Sequence, residues 1–111
     1  MTGPKMDKLF FEKVLGWRYH KDERASGTGP WWTHDGSLTF ELPELHKYLD
    51  LQETWVIPEL VKLNLMAELS FGKRSYFAVI LTAPEKYKYE TEESTAPLAL
   101  LTSALKALEV I

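Results

Sequence analysis

With 111 residues, 45% of them hydrophobic, the chain fits a single domain spanning residues 1–111 and has enough apolar side chain to build a core. The absence of cysteine excludes disulfides, thiolate nucleophiles and Cys-based zinc sites. Thirteen Lys/Arg against sixteen Asp/Glu give a net charge of −3, which opposes the phosphate attraction behind duplex nucleic-acid binding, although residues 1–24 carry six basic against four acidic side chains.

Residues 1–5 are expected to be disordered or vector-derived, with Met6 a candidate native start. No signal-peptide core and no apolar run of ~18 residues is present, so the expected compartment is the cytoplasm, with no membrane partner. Residues 7–15 read as a short helix, with Asp7 as N-cap, Phe10, Phe11, Val14 and Leu15 as its apolar face, and Gly16 as the C′ glycine. Trp17 to His20 alternates as a strand does, and Lys21 to Pro30, nearly free of apolar residues, reads as a mobile loop.

Trp31-Trp32-Thr33-His34 and Ser37 to Leu42 flank Asp35-Gly36, the pair a two-residue type I′ hairpin turn favours. A helical pattern follows Pro43, but Pro58 removes a hydrogen bond inside it, which predicts a kink or two short helices. Leu65 to Phe71 has period two. Tyr76 to Thr82 is apolar without alternation and reads as an interior strand, and Lys86 to Glu92 alternates charge with aromatic or β-branched residues as an edge strand does. The last element, Thr95 to Leu108, has a clear helix start and is almost entirely apolar. Two apolar helices and a shorter first one predict an α+β fold: an antiparallel sheet of about five strands with helices packed on both faces, an α/β/α sandwich.

Catalytic motifs are absent. His20, His34 and His46 lack H-E-x-x-H spacing, and no nucleophile elbow or Walker-type loop occurs. A metal set from His20, Asp22, His34 and Asp35, and a phosphate cradle at Ser26-Gly27-Thr28-Gly29, are weighed and set aside, since Asp35 belongs to the turn and no strand-loop-helix pattern surrounds the glycines. No cofactor is expected and no enzymatic activity is assigned; a nucleotide hydrolase would need a metal or base that the sequence does not place. Aromatic residues, 13% of the chain, are the stronger lead. A base stacked on an aromatic ring gains ~1–3 kcal/mol, and a nearby cation holds its phosphate. Trp31 and Trp32, adjacent on a strand, point to opposite faces. The candidate ligand-binding set is Trp31, Trp32, His34, Lys73, Arg74 and Tyr87, and the exposed aromatic edge at Tyr87 and Tyr89 predicts a homo-oligomer.

Leu9 to Trp17, containing Glu12-Lys13-Val14-Leu15-Gly16-Trp17, then Pro30-Trp31-Trp32, Asp35-Gly36, Tyr76 to Val79, and Thr95-Ala96-Pro97 through Ala104-Leu105-Lys106-Ala107-Leu108 occur in an order that resembles the phage ABA-sandwich domain family. The chain departs from that pattern in the middle, where Leu42-Pro43-Glu44-Leu45 replaces the family's short Ser-Thr-Asp helix start. The resemblance implies a small phage or prophage protein acting in the host cytoplasm. By analogy with other small phage proteins, it suggests a non-enzymatic sponge for a nucleotide-type immune signal, such as a cyclic oligonucleotide. The alternative is an accessory protein that inhibits a host protein through its aromatic surface.

Overall fold

Local chemistry at the first residues already decides how the chain starts. The computed structural model describes residues 2–20, 31–73, 75–82 and 86–111. Helix α1 (Gly3–Leu9) opens with proline in its first turn, where the missing N–H would have no partner anyway. It thus begins four residues before Asp7, which is an interior position and not the cap. Only 4% exposed, the Asp7 carboxylate turns to a distant part of the chain: the His46 backbone N–H donates to Oδ1 at 2.9 Å and His46 Nδ1 lies 2.5 Å from Oδ2. Gly3 abuts the same imidazole so closely that a Cβ there would overlap it.

A π-helical segment (Phe10–Val14) continues α1 and buries Phe10 and Phe11 completely, with their rings edge to face at 84°. Gly16, at φ +73°, ends it as the expected C′ glycine, and the Trp17 N–H donates to the Phe11 carbonyl at 2.9 Å. Strands β1 (Arg18–His20), β2 (Trp31–His34) and β3 (Ser37–Thr39) form an antiparallel sheet in that order. Asp35 and Gly36 both have positive φ, 44° and 78°, as a type I′ turn requires. The Lys21 to Pro30 loop, with Asp22 and the Ser26–Gly29 cradle, lies outside the described residues.

Pro58 breaks the middle helix into α2 (Leu49–Trp55) and α3 (Ile57–Lys62), with Val56 between them and the proline in the first turn of α3. Asn64, at φ 57°, then reverses the chain into the second sheet, β4 (Leu65–Phe71), β5 (Tyr76–Thr82) and β6 (Lys86–Glu93), again antiparallel and in sequence order. The interior position of β5 and the edge position of β6 follow the sequence reading. A bulge between Ile80 and Leu81 shifts the β5–β6 register.

Two features correct the expected sandwich. Its single sheet of about five strands is two sheets of three, because β2 and β5 each find both neighbours within their own half of the chain. The expected helices on both faces are also not what packs the second sheet. Helix α4 (Ala96–Ala107) crosses the face carrying Ala78 and Ile80, and the Ser103 hydroxyl donates to the Ala78 carbonyl at 2.8 Å. On the opposite face Met66, Glu68, Ser70, Glu90 and Glu92 are exposed, too polar a surface to hold another apolar layer. Val79 is nevertheless buried there, since the ladder sets it between Glu68 and Glu90, whose stems can shield it.

Eight of the twelve α4 residues are buried, because the helix is enclosed between the sheet and the α1 and α2 side. Thr95 caps it by accepting from the Leu98 N–H at 3.4 Å, with Pro97 in the first turn. Gln52, fully buried on α2, donates to the Leu45 carbonyl at 2.8 Å and to the Pro97 carbonyl at 2.7 Å, tying α2, the preceding turn and the start of α4 together.

Candidate functional site

Strand alternation fixes what each face of the first sheet presents. The register pairs Tyr19 with Trp32 and His34 with Ser37, so Trp17, Tyr19, Trp32 and His34 share one face while Arg18, His20, Trp31 and Thr33 share the other. On the inner face Trp32 is 5% exposed and packs on Tyr19, with ring centroids 4.9 Å apart. His34 lies flat on the Trp17 indole at 3.7 Å and 6°. Trp17 in turn meets Phe11 at 4.4 Å and Trp55 edge-on at 5.6 Å, so the imidazole belongs to a four-ring aromatic group spanning the π-helical segment, the hairpin and α2.

Three of those rings, Trp17, His34 and Trp55, wall an open cleft of about 510 Å³ between the β2–β3 turn and α2–α3. Leu15, Trp17 and Trp55 supply its apolar side, His34, Asp35 and Ser37 come from the hairpin, and Thr54, Pro58 and Glu59 from the two helices. The volume falls in the ~300–1,000 Å³ range of small-molecule sites. Its polar rim is acidic: Asp35 is exposed, and Glu59 pairs with Lys62 at 3.2 Å. Carboxylates accept hydrogen bonds and repel phosphate, so the cleft suits a planar ring bearing N–H groups, with any phosphate held outside.

A second concavity of about 540 Å³ runs along α1, lined by Pro4, Lys5, Lys8, Leu9 and Glu12. Lys8 Nζ stands 4.3 Å over the Tyr19 ring, a cation–π contact on the back of the Tyr19–Trp32 pair.

Of the six residues that the sequence nominated, His34 lines the aromatic cleft. Trp32 shares its sheet face, but its ring is enclosed in the core and offers no open surface for stacking. Trp31 is on the outer face, stacked with His20 at 5.4 Å and 12°. Lys73 belongs to the β4–β5 turn of the second sheet, not to the sheet that carries Trp31, Trp32 and His34. Arg74 and the Tyr87 side chain lie outside the described structure. The metal set divides too: His20 and His34 project from opposite faces, and His20 Nε2 is 2.9 Å from Thr33 Oγ1. Among the described residues no group of three or more His, Asp or Glu is placed to hold a metal ion. Trp17, only 8% exposed, and Trp55 both border the cleft, though neither was among the six. The period-two pattern from Trp17 was the available signal, but it could not reveal His34 as the partner.

The architecture is therefore an α+β protein of two three-stranded antiparallel sheets, the second of which packs on a buried C-terminal helix. No family model matches the chain, so membership of the ABA-sandwich family is not established. No curated protein matches either. Among solved structures, it is similar to the 2.0 Å crystal structure of a phage protein from Bacillus cereus ATCC 14579, with 20% identity, a TM-score of 0.62, and coverage of 98% of this chain and 89% of that one. At that identity the shared property is the fold. Among the described residues no helix is long and apolar enough to cross a membrane.

Proposed function

We propose that this is a small phage-type binding protein that sequesters a nucleotide-type ligand without chemistry, taking the base into the Trp17–His34–Trp55 cleft. The observation that carries this reading is the preformed flat stack of His34 on Trp17 beside Trp55, in an open cleft of about 510 Å³. Preordered rings lower the entropy lost on binding, and the Asp35 and Glu59 carboxylates provide acceptors for amino and imino groups. The fold shared with a phage protein fits a phage origin, and the proposed site of action is the host cytoplasm, on an immune messenger. The moderate acidity of the cleft favours a ligand whose phosphates project into solvent, as in a cyclic oligonucleotide with one base inserted.

Calorimetry against nucleosides, mononucleotides, cyclic di- and trinucleotides and ADP-ribose derivatives tests it. Binding weakened at least tenfold in Trp55→Ala and His34→Ala, with the ligand recovered intact after heat denaturation, is the expected result. No binding across the panel rejects the sponge, and a degraded ligand reassigns the protein as an enzyme. A second reading, inhibition of a host protein, is favoured by Leu38 and Phe40, 53% and 58% exposed on the far side of the hairpin. A stable host complex that survives nuclease, holds no small molecule and is lost in Leu38→Asp would decide for it.

A further inference from the structure

The Gly72 N–H donates to the Ser75 carbonyl at 2.9 Å, which sets the parity of the whole β4–β5 ladder. Met66, Glu68 and Ser70 therefore bond inward to β5, and the main-chain groups of Leu65, Ala67, Leu69 and Phe71 point away from it. Among the described residues β4 ends the sheet. The two edges differ in protection: β6 carries Glu90, Glu92 and Glu93 along a strand with a shifted register, whereas β4 carries the single charge of Glu68 and ends on Phe71, 72% exposed. A long, regular, apolar edge is a template for another strand.

We propose that β4 pairs antiparallel with β4 of a second copy of this chain, centred on Leu69, joining two three-stranded sheets into one of six. Charge selects the register. Overlap of all seven residues would set Glu68 directly against its own counterpart, which like-charge repulsion disfavours. A shift of two pairing positions toward the C-terminal end sets Glu68 opposite Ser70, Leu69 opposite Leu69 and Ala67 opposite Phe71, so the exposed ring covers a small residue. The opposite shift leaves Phe71 uncovered and runs the partner against the α3–β4 turn, where Leu65 is already buried.

Because the Ala67 N–H faces outward and its side chain is exposed, Ala67→Pro blocks the edge without removing a β4–β5 hydrogen bond. Sedimentation and light scattering over roughly 1 µM to 1 mM, the range in which weak pairs populate, are expected to give a concentration-dependent dimer for the natural chain and for Ala67→Val. Ala67→Pro should raise the dissociation constant at least tenfold with an unchanged circular dichroism spectrum. Amide exchange at Ala67 and Leu69 of the natural chain should slow as concentration rises, a readout that needs no variant. A monomer throughout the range, a dimer unaffected in folded Ala67→Pro, or exchange at these amides that ignores concentration overturns the proposal.

Discussion

Gln52 offers a demanding test of how the core is held. Its side chain is fully buried, its amide donates to two carbonyls, and its own Oε1 has no hydrogen-bond partner among the described residues. Replacing it with leucine leaves the Leu45 carbonyl without its Gln52 donor in the interior, while the Pro97 carbonyl loses one bond but keeps the Leu101 N–H of the α4 ladder. An unsatisfied buried group costs ~1–3 kcal/mol and the loss of one extra bond at a carbonyl that stays satisfied ~0.5–1 kcal/mol, so the two losses amount to about 2–4 kcal/mol, the Pro97 share being the smaller. Removing the orphaned Oε1 returns ~1–2 kcal/mol by the same reasoning, which leaves a net loss of about 1–2 kcal/mol. For a domain of this size, that lowers the melting temperature by roughly 4–10 °C. Gln52→Glu is the sharper variant, because it presents a carboxylate to two carbonyl oxygens. An uncompensated buried charge costs ~3–5 kcal/mol, relieved in acid, where a protonated carboxyl can donate one of the lost bonds. Thermal and urea unfolding at pH 7 and pH 5 would separate the cases. A Gln52→Leu variant melting at or above the natural chain, or a Gln52→Glu variant indifferent to pH, would refute the assigned roles.

Burial pushes the Asp7 carboxyl above its ordinary value of 3.8, against the hydrogen bonds and charge of His46. The folded state then holds that proton more tightly than the unfolded state, so its contribution is complete below pH 3.8 and is lost as pH rises through the folded value. Urea titrations should therefore show the natural chain losing stability relative to Asp7→Asn as pH increases above 3.8, and the opposite slope would contradict the burial. Gly3→Ala, whose Cβ meets the His46 ring, should cost ~1–3 kcal/mol, or fray the first turn of α1 to escape it, which amide exchange at Met6 would register. Glu109 occupies the left-handed region at φ 62° just beyond α4 and brings a negative charge to that helix's negative end, so Glu109→Gly is expected to stabilise by ~0.5–1 kcal/mol in thermal melts.

Features governed by neighbours in the chain were legible from the residues. Asp35-Gly36 announced its turn because few other pairs accept two positive φ values, Pro58 announced the break in the middle helix, and Thr95-Ala96-Pro97 announced the start of α4. Long-range pairing was not legible. Period two tells which side chains of a strand share a face, but not which strand lies beside it, so three-plus-three strands looked like one sheet. The cleft failed for a related reason: ten residues separate β1 from β2, and no tight turn fixes the register that brings Trp17 to His34. Asp7 and His46, 39 positions apart, gave no local sign of each other, and Asp7 looked like a cap. The burial of Trp32 had no local sign, because composition shows how many indoles there are and not which of them a core consumes.

The π-helical segment between Phe10 and Val14 has a consequence for how this protein can change length. A π turn amounts to an α-helix carrying one surplus residue, absorbed locally while the chain on either side keeps its direction. Lys13, exposed at the outside of that turn, is the residue that can be given up. Its deletion would let the helix relax to ordinary pitch, with Phe10 and Phe11 upstream and Gly16 and Trp17 downstream still in place. A single-codon loss is ruinous in most helices, since it swings every later side chain by about 100°. Here the spare residue works as slack in the line, and the aromatic group that walls the cleft hangs from the end of it.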